Sequence, residues 1–254
     1  MRNFGDSFEV ASNGEFLILA EHESEFNGPK DELIEENGYK RAFYPGFPIL
    51  YFEDQQLGAK MFVDYVTDLF STDLFCLSVN RKSLWAVDWV FNRQENPLSS
   101  VNLLEVENEE DPYADGKAFD YVLRHANTIE FLNIYVKLSE NFKLADNLGP
   151  FQDLTIFEGY WITCNDLMKI DAAILDVQRS RLYIPDFSIF LRHWQSGGSP
   201  RLEKLDVSFE TEIRDLGSFD EDLGIVETDE SEPSEAFQMI LFLVLPSHCM
   251  NCPN

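Results

Sequence analysis

The sequence predicts an α/β chain built as a solenoid, in which parallel strands alternate with helices and a β-hairpin caps the N-terminal end. Three observations carry this prediction. A short apolar strand template recurs eight times along the 254 residues, and stretches with helical spacing of apolar residues lie between its copies. Hydrophobic residues make up 44% of the chain, enough to bury a continuous core.

The template reads apolar-x-x-Leu-x-apolar. Its copies are Phe47/Leu50/Phe52, Leu74/Leu77/Val79, Val101/Leu104/Val106, Ile129/Leu132/Ile134, Phe151/Leu154/Ile156, Ala172/Leu175/Val177, Leu202/Leu205/Val207 and Ile240/Leu243/Leu245. Successive leucines are 27, 27, 28, 22, 21, 30 and 38 residues apart. Most of these spacings fall in or beside the roughly 20–29-residue period of leucine-rich repeats, whose strand motif has the same form. The position three before each leucine is apolar in all eight copies, although fewer than half of the chain's residues are. Strands joined through helices with a right-handed return lie parallel and side by side. Repeats of this length stack on their neighbours, which leaves one sheet surface open. The expected fold is therefore leucine-rich-repeat-like.

Each intervening stretch has a helical pattern. LGAKMFVDYVTDLF sets Met61, Tyr65 and Leu69 along one face with Phe62 and Val66 beside them, and SLWAVDWVFNRQ does the same with Leu84, Trp85, Val87 and Trp89. KAFDYVLRHA and TCNDLMKI are shorter, with Thr163 and Asn165 as caps of the latter. In IPDFSIFLRHWQSGG, Phe187, Phe190, Leu191 and Trp194 fall at i, i+3, i+4 and i+7 after Pro185, and Gly197 ends the helix. Residues 138–150 have weak periodicity and read mostly as loop.

Four segments are expected. Residues 1–45 hold a hairpin over 8–20, turned at Asn13-Gly14, followed by a polar, acidic loop. Residues 46–209 hold the repeats, 210–236 an acidic insertion, and 237–254 the last strand and the tail. Twelve acids stand against one base, Arg214, over residues 206–235.

Charge narrows the function. The 46 acidic against 19 basic residues give a net charge of −27, which repels nucleic-acid backbones and anionic membranes and favours a basic protein partner. The N-terminus lacks the apolar core of a secretory signal, and the apolar run MILFLVLP is too short to span a bilayer. An intracellular protein, cytoplasmic or nuclear, is expected.

No catalytic or nucleotide-binding signature occurs, and no cofactor, metal or catalytic residue is expected. His22, His125, His193 and His248 fall in a polar loop, at a helix end, on a helix and in the tail. Cys249 and Cys252 form a C-x-x-C beside His248, without the second ligand pair that a structural zinc needs. Cys76 and Cys164 sit inside apolar patterns and read as buried thiols. Carboxylate pairs of the kind a hydrolase uses arise by chance among 46 acids, so a hydrolase is the alternative of another class.

The positions that the template leaves facing outward are Ser78, Asn80, Glu105, Glu107, Asn133, Tyr135, Asp153, Thr155, Phe157, Asp176, Gln178, Lys204, Asp206 and Ser208. Polar groups with a few aromatics suit a partner-binding surface, and its acids outnumber its one base five to one. For any single residue, an ordinary solvated sheet face explains the pattern equally well.

Several motifs occur in a fixed order: Trp161-Ile162-Thr163, Asp166-Leu167, Ser180-Arg181-Leu182, Phe190-Leu191-Arg192-His193-Trp194, Gly197-Gly198 and Pro200-Arg201-Leu202. With LSVNRKSLWAVDWVFNRQ at 77–94, this combined order resembles the nematode F-box-associated domain of the second type, over roughly residues 50–210. Ile184 departs from the family, where a Ser or Thr cap is common. The resemblance implies a substrate-recognition role beside an N-terminal F-box that binds the Skp1 adaptor of a cullin-type ubiquitin ligase. Residues 1–45 carry no Leu-Pro-led helical pattern of F-box type, so a chain lacking that module is expected. Skp1 and cullin are then partners only if an F-box stands upstream, and the alternative is an interaction module unconnected with the ligase.

Overall fold

The computed structural model describes residues 2–4, 7–12, 15–22, 34–36, 39–44, 47–106, 111–125, 130–144, 148–209 and 238–242. The strands before Ile49 and after Ser208, and Phe209 itself, are described by their backbone alone. Residues 23–33, the acidic insertion over 210–236 and the cysteine-containing tail lie outside the described residues. The chain divides into two compact units, Met1–Ile129 and Glu130–Asn254. That boundary falls inside the single repeat segment expected over 46–209.

The first unit opens with β1 (Arg2–Phe4), β2 (Ser7–Ser12), β3 (Glu15–His22), β4 (Ile34–Glu36), β5 (Tyr39–Tyr44) and β6 (Phe47–Phe52), in the sheet order β1-β2-β3-β6-β5-β4. The two strands of the expected hairpin are present, since β2 and β3 are antiparallel with Ser12 opposite Glu15, while Asn13-Gly14 lies outside the described residues. Two departures follow from local sequence. The segment read as an acidic loop contains β4 and β5, because YKRAFY has the aromatic content of a strand. β6 pairs in parallel with β3 and antiparallel with β5, so the first template copy belongs to this sheet.

Helix α1 (Gln55–Phe70) is capped by the Asp54 side chain, which accepts the Leu57 N–H at 2.9 Å, and it ends on Ser71 in the left-handed region at φ 49°. It lies against β3 and β6. A Cβ at Gly58 would come within 2.1 Å of the Phe52 ring, so the absence of a side chain permits this approach. Ala59, Phe62, Val63 and Val66 are buried, whereas Met61, Tyr65 and Leu69 face outward. Of the expected apolar stripe, Phe62 and Val66 thus join the core, and Met61, Tyr65 and Leu69 do not.

Next come β7 (Cys76–Val79), α2 (Trp85–Arg93), β8 (Ser100–Leu103) and α3 (Pro112–His125). β7 and β8 are parallel, with Leu77 opposite Val101 and Val79 opposite Leu103. The template in β8 is therefore Leu98/Val101/Leu103, three residues before the expected copy, and all three side chains are buried.

The second unit contains β9 (Phe131–Ile134), β10 (Leu148–Ile156), a 3₁₀ turn at Gly159–Trp161, α4 (Cys164–Leu167), β11 (Ile170–Ser180), α5 (Ile184–Gln195), β12 (Lys204–Phe209) and β13 (Gln238–Phe242). β9, β10, β11 and β12 pair in parallel in chain order. The last template copy leaves the series, because β13 runs antiparallel to β12. Besides the β3–β6 pair, six strands in parallel pairings, β7 and β8 in the first unit and β9 to β12 in the second, thus alternate with helices in a mixed α/β chain.

The template leucines of the second unit hold one register: Leu132, Leu154, Leu175 and Leu205 stand opposite one another, as do Ile134, Ile156, Val177 and Val207. All eight side chains are essentially inaccessible. The expected helical stripe joins the same core, since Phe187, Phe190, Leu191 and Trp194 are buried. Thr163 caps α4 in a reciprocal box with Asp166, which leaves Asn165 as an exposed helical residue. At the start of α5 the Asp186 carboxylate, at the third helical position, accepts the N–H of Tyr183, the N-cap residue, at 2.9 Å, which is the bond an acidic third residue makes in a capping box.

Candidate functional site: the outward face of the second unit's sheet

Successive residues of a strand point to opposite faces. The burial of the template leucines therefore turns the residues between them to the other side. One row runs Asn133, Thr155, Asp176, Asp206, each opposite the next across β9 to β12. The row before it runs Phe131, Asp153, Ile174, Lys204 in the same register. Tyr135, Phe157, Gln178 and Ser208 stand two residues further along. Ten of the fourteen sequence-predicted residues are thus brought together on this face.

Neighbouring strands are about 4.8 Å apart, so three carboxylates and one ammonium share a small area. The Lys204 Nζ lies 3.7 Å from the Asp206 carboxylate, whose side chain is buried. Burial pushes the Asp176 carboxyl above the usual range; the hydrogen bond from Gln178, 3.2 Å long, opposes the shift, the charge of Asp206 adds to it, Lys204 opposes it, and Asp153 adds to it. Asp153 is raised for the same first reason, with Thr155 and then Lys204 opposing. One lysine thus serves a cluster that holds more negative charge than it can neutralise.

Beside the carboxylates, Tyr135 and Phe157 stack with ring centroids 4.0 Å apart and planes 12° from parallel. Tyr135 is 37% exposed, so the pair presents an aromatic surface at the C-terminal ends of β9 and β10. Ser208 is engaged in the fold: its hydroxyl accepts the Arg179 N–H at 3.1 Å, where Arg179 takes a positive φ of 52°. The Arg179 guanidinium pairs with Glu158.

The remaining four predicted residues belong to the first unit. Ser78 is buried and accepts a hydrogen bond from the Asn102 side chain at 2.9 Å. Asn80 is completely buried; its Oδ1 accepts the Lys82 N–H at 2.9 Å, and its own N–H donates to the Ser83 hydroxyl at 3.0 Å. These bonds fix the turn from β7 into α2. Glu105 follows β8 in an exposed position, because the three-residue register change puts Asn102 opposite Ser78. Glu107 lies outside the described residues.

Sequence reasoning missed Phe131, Ile174 and Asn102. Phe131 and Ile174 each precede a template leucine and so share the outward row of Asp153 and Lys204, a signal available from strand alternation alone. Among the described residues no group of three His, Cys, Asp or Glu side chains is arranged to hold a metal ion, and no helix is long and apolar enough to cross a membrane.

Residues 142–207 match the family model described as F-box associated. The match includes β10, α4, β11, α5 and nearly all of β12, and with them three of the four strands that carry the face. It agrees with the resemblance read from Trp161-Ile162-Thr163 through Pro200-Arg201-Leu202, and it points to a protein-interaction role. No curated protein and no solved structure matches the chain.

Proposed function

We propose that this chain is a protein-recognition module of leucine-rich-repeat-like build. On this reading it binds a basic segment of a protein partner on the outward face of β9 to β12, as the substrate-selecting part of an F-box subunit would. The observation that carries the reading is the in-register row Asn133, Thr155, Asp176, Asp206, with Asp153 and the stacked Tyr135 and Phe157 beside it. A partner arginine or lysine placed there gains charge-assisted hydrogen bonds to the carboxylates, and its stem or a neighbouring aromatic side chain packs on the ring pair. The module acts by binding and is not an enzyme.

Affinity capture with the full chain tests this. The Asp153→Asn/Asp176→Asn/Asp206→Asn variant should lose the basic partners that the native chain retains. An unchanged set of partners would remove the face from consideration. Recovery of Skp1 and a cullin in the same capture separates a ligase subunit from an interaction module unconnected with ubiquitin transfer.

The raised carboxyls of Asp153 and Asp176 favour one second reading, a carboxylate-based hydrolase. Hydrolysis of a glycoside or ester panel that Asp176→Asn abolishes would support it over recognition.

A further inference from the structure

Helix α1 has two apolar faces. Ala59, Phe62, Val63 and Val66 bury the first. The second consists of Leu57 (54% exposed), Met61 (43%), Tyr65 (62%) and Leu69 (60%), at i, i+4, i+8 and i+12, with Phe70 exposed beside its end. A surface helix ordinarily turns polar residues to solvent, and four large apolar side chains in one row exceed scattered exposure. We propose that this row is a second docking surface, distinct from the sheet face, and that its occupant is a basic amphipathic helix of a protein partner.

Geometry selects a helix. Residues spaced by four form one of the ridges of an α-helix, and two such ridges interlock when helices cross at about −50°. The row spans about 18 Å at 1.5 Å per residue, the length of a short helix. Charge selects the sign of the flanks. Asp68 stands exposed along one side of the row and Asp54 at its start, while Asp64 on that side is already paired with Arg93. Two cations of the described residues are held by the chain itself, with the Lys60 Nζ 5.1 Å from the centroid of the Trp85 ring and the Arg93 guanidinium on Asp64. A second copy of this chain would set these carboxylates against their own kind in a molecule of net charge −27. A helix with leucines along one face and lysines on its flanks meets both the ridge and its acidic rim.

The test uses the full chain and a fluorescein-labelled amphipathic peptide of about 18 residues with a leucine face and lysine flanks, long enough to be helical when docked. Fluorescence anisotropy should show saturable binding that Tyr65→Ser/Leu69→Ser weakens by roughly tenfold or more. Thermal melting of that variant should match the native chain, since both side chains are exposed. In the Asp153→Asn/Asp176→Asn/Asp206→Asn background, where the sheet face has lost its carboxylates, the peptide should still bind and Tyr65→Ser/Leu69→Ser should still weaken it, which separates this surface from the sheet face. Equal binding of a peptide with glutamates in place of lysines would overturn the basic partner. So would no binding, binding indifferent to Tyr65 and Leu69, or a concentration-dependent dimer in sedimentation that the double variant abolishes.

Discussion

Asp176 shows how one side chain couples recognition to stability. Its carboxyl is raised in the folded chain chiefly by burial, so between the unfolded value of about 3.9 and the folded one the native state holds more protons than the unfolded state. Stability therefore falls as pH rises through that window and stays lowered above it. Asp176→Asn keeps an oxygen to accept the Gln178 hydrogen bond and removes the charge. The variant should melt higher than the native chain at pH 7, and the difference should vanish in acid below the unfolded value. A melting temperature lowered at pH 7 would show that the carboxylate stabilises the fold.

Gly58 gives a prediction of opposite sign to simple propensity. Alanine is preferred over glycine in a helix by about 1 kcal/mol, but the added Cβ would meet the Phe52 ring at 2.1 Å. Overpacking costs typically 1–3 kcal/mol, so Gly58→Ala should destabilise the chain on denaturant unfolding, and a rise in stability would refute the close approach. The Arg81–Asp115 ion pair, 2.9 Å long with both side chains largely buried, is a further residue-level test. Asp115→Ala removes this partner from a largely buried guanidinium and should destabilise the chain on denaturant unfolding, whereas unchanged stability would contradict a stabilising pair.

At the scale of the element, α5 and the strands around it were legible because their signals agree. Phe187, Phe190, Leu191 and Trp194 leave one choice of buried face, and Leu154, Leu175 and Leu205 leave one register. Phe190→Ala should cost about 3–5 kcal/mol, measured by unfolding at equilibrium. α1 was illegible for a physical reason. Leu57, Met61, Tyr65 and Leu69 on one side compete with Phe62, Val63 and Val66 on the other, so periodicity finds the helix and cannot choose its face. β8 was misread because Leu98-x-x-Val101-x-Leu103 and Val101-x-x-Leu104-x-Val106 both satisfy the template. Only pairing with β7 decides between them. That shift of three residues removes Glu105 from the outward row and puts Asn102 in it.

At the scale of the whole molecule, the alternation of strands and helices followed from repeat spacing, while the membership of the first and last copies did not. The template records burial on one side of a strand and is blind to the direction of its neighbour. β6, which carries the first copy, pairs in parallel with β3 and antiparallel with β5, and β13, which carries Ile240 of the last, pairs antiparallel with β12. The candidate site was legible where the register held, from Asn133 to Ser208, and lost where it slipped. The excess of acids gives the surface its sign, so capture of a basic partner should weaken as salt is raised. The Asp153→Asn/Asp176→Asn/Asp206→Asn variant should flatten that salt dependence. Tyr135→Ala/Phe157→Ala should lower affinity with the dependence unchanged, because stacked rings contribute contact area and no net charge.

The central claim is that the outward face of β9 to β12 recognises a protein. Chemical cross-linking and mass spectrometry of the full chain with its captured partner addresses it most directly. Cross-links that report on binding should join a partner segment to Lys204, and they should disappear in the triple asparagine variant, which leaves Lys204 itself unchanged. Cross-links confined to the α1 surface, and retained in that variant, would contradict the account.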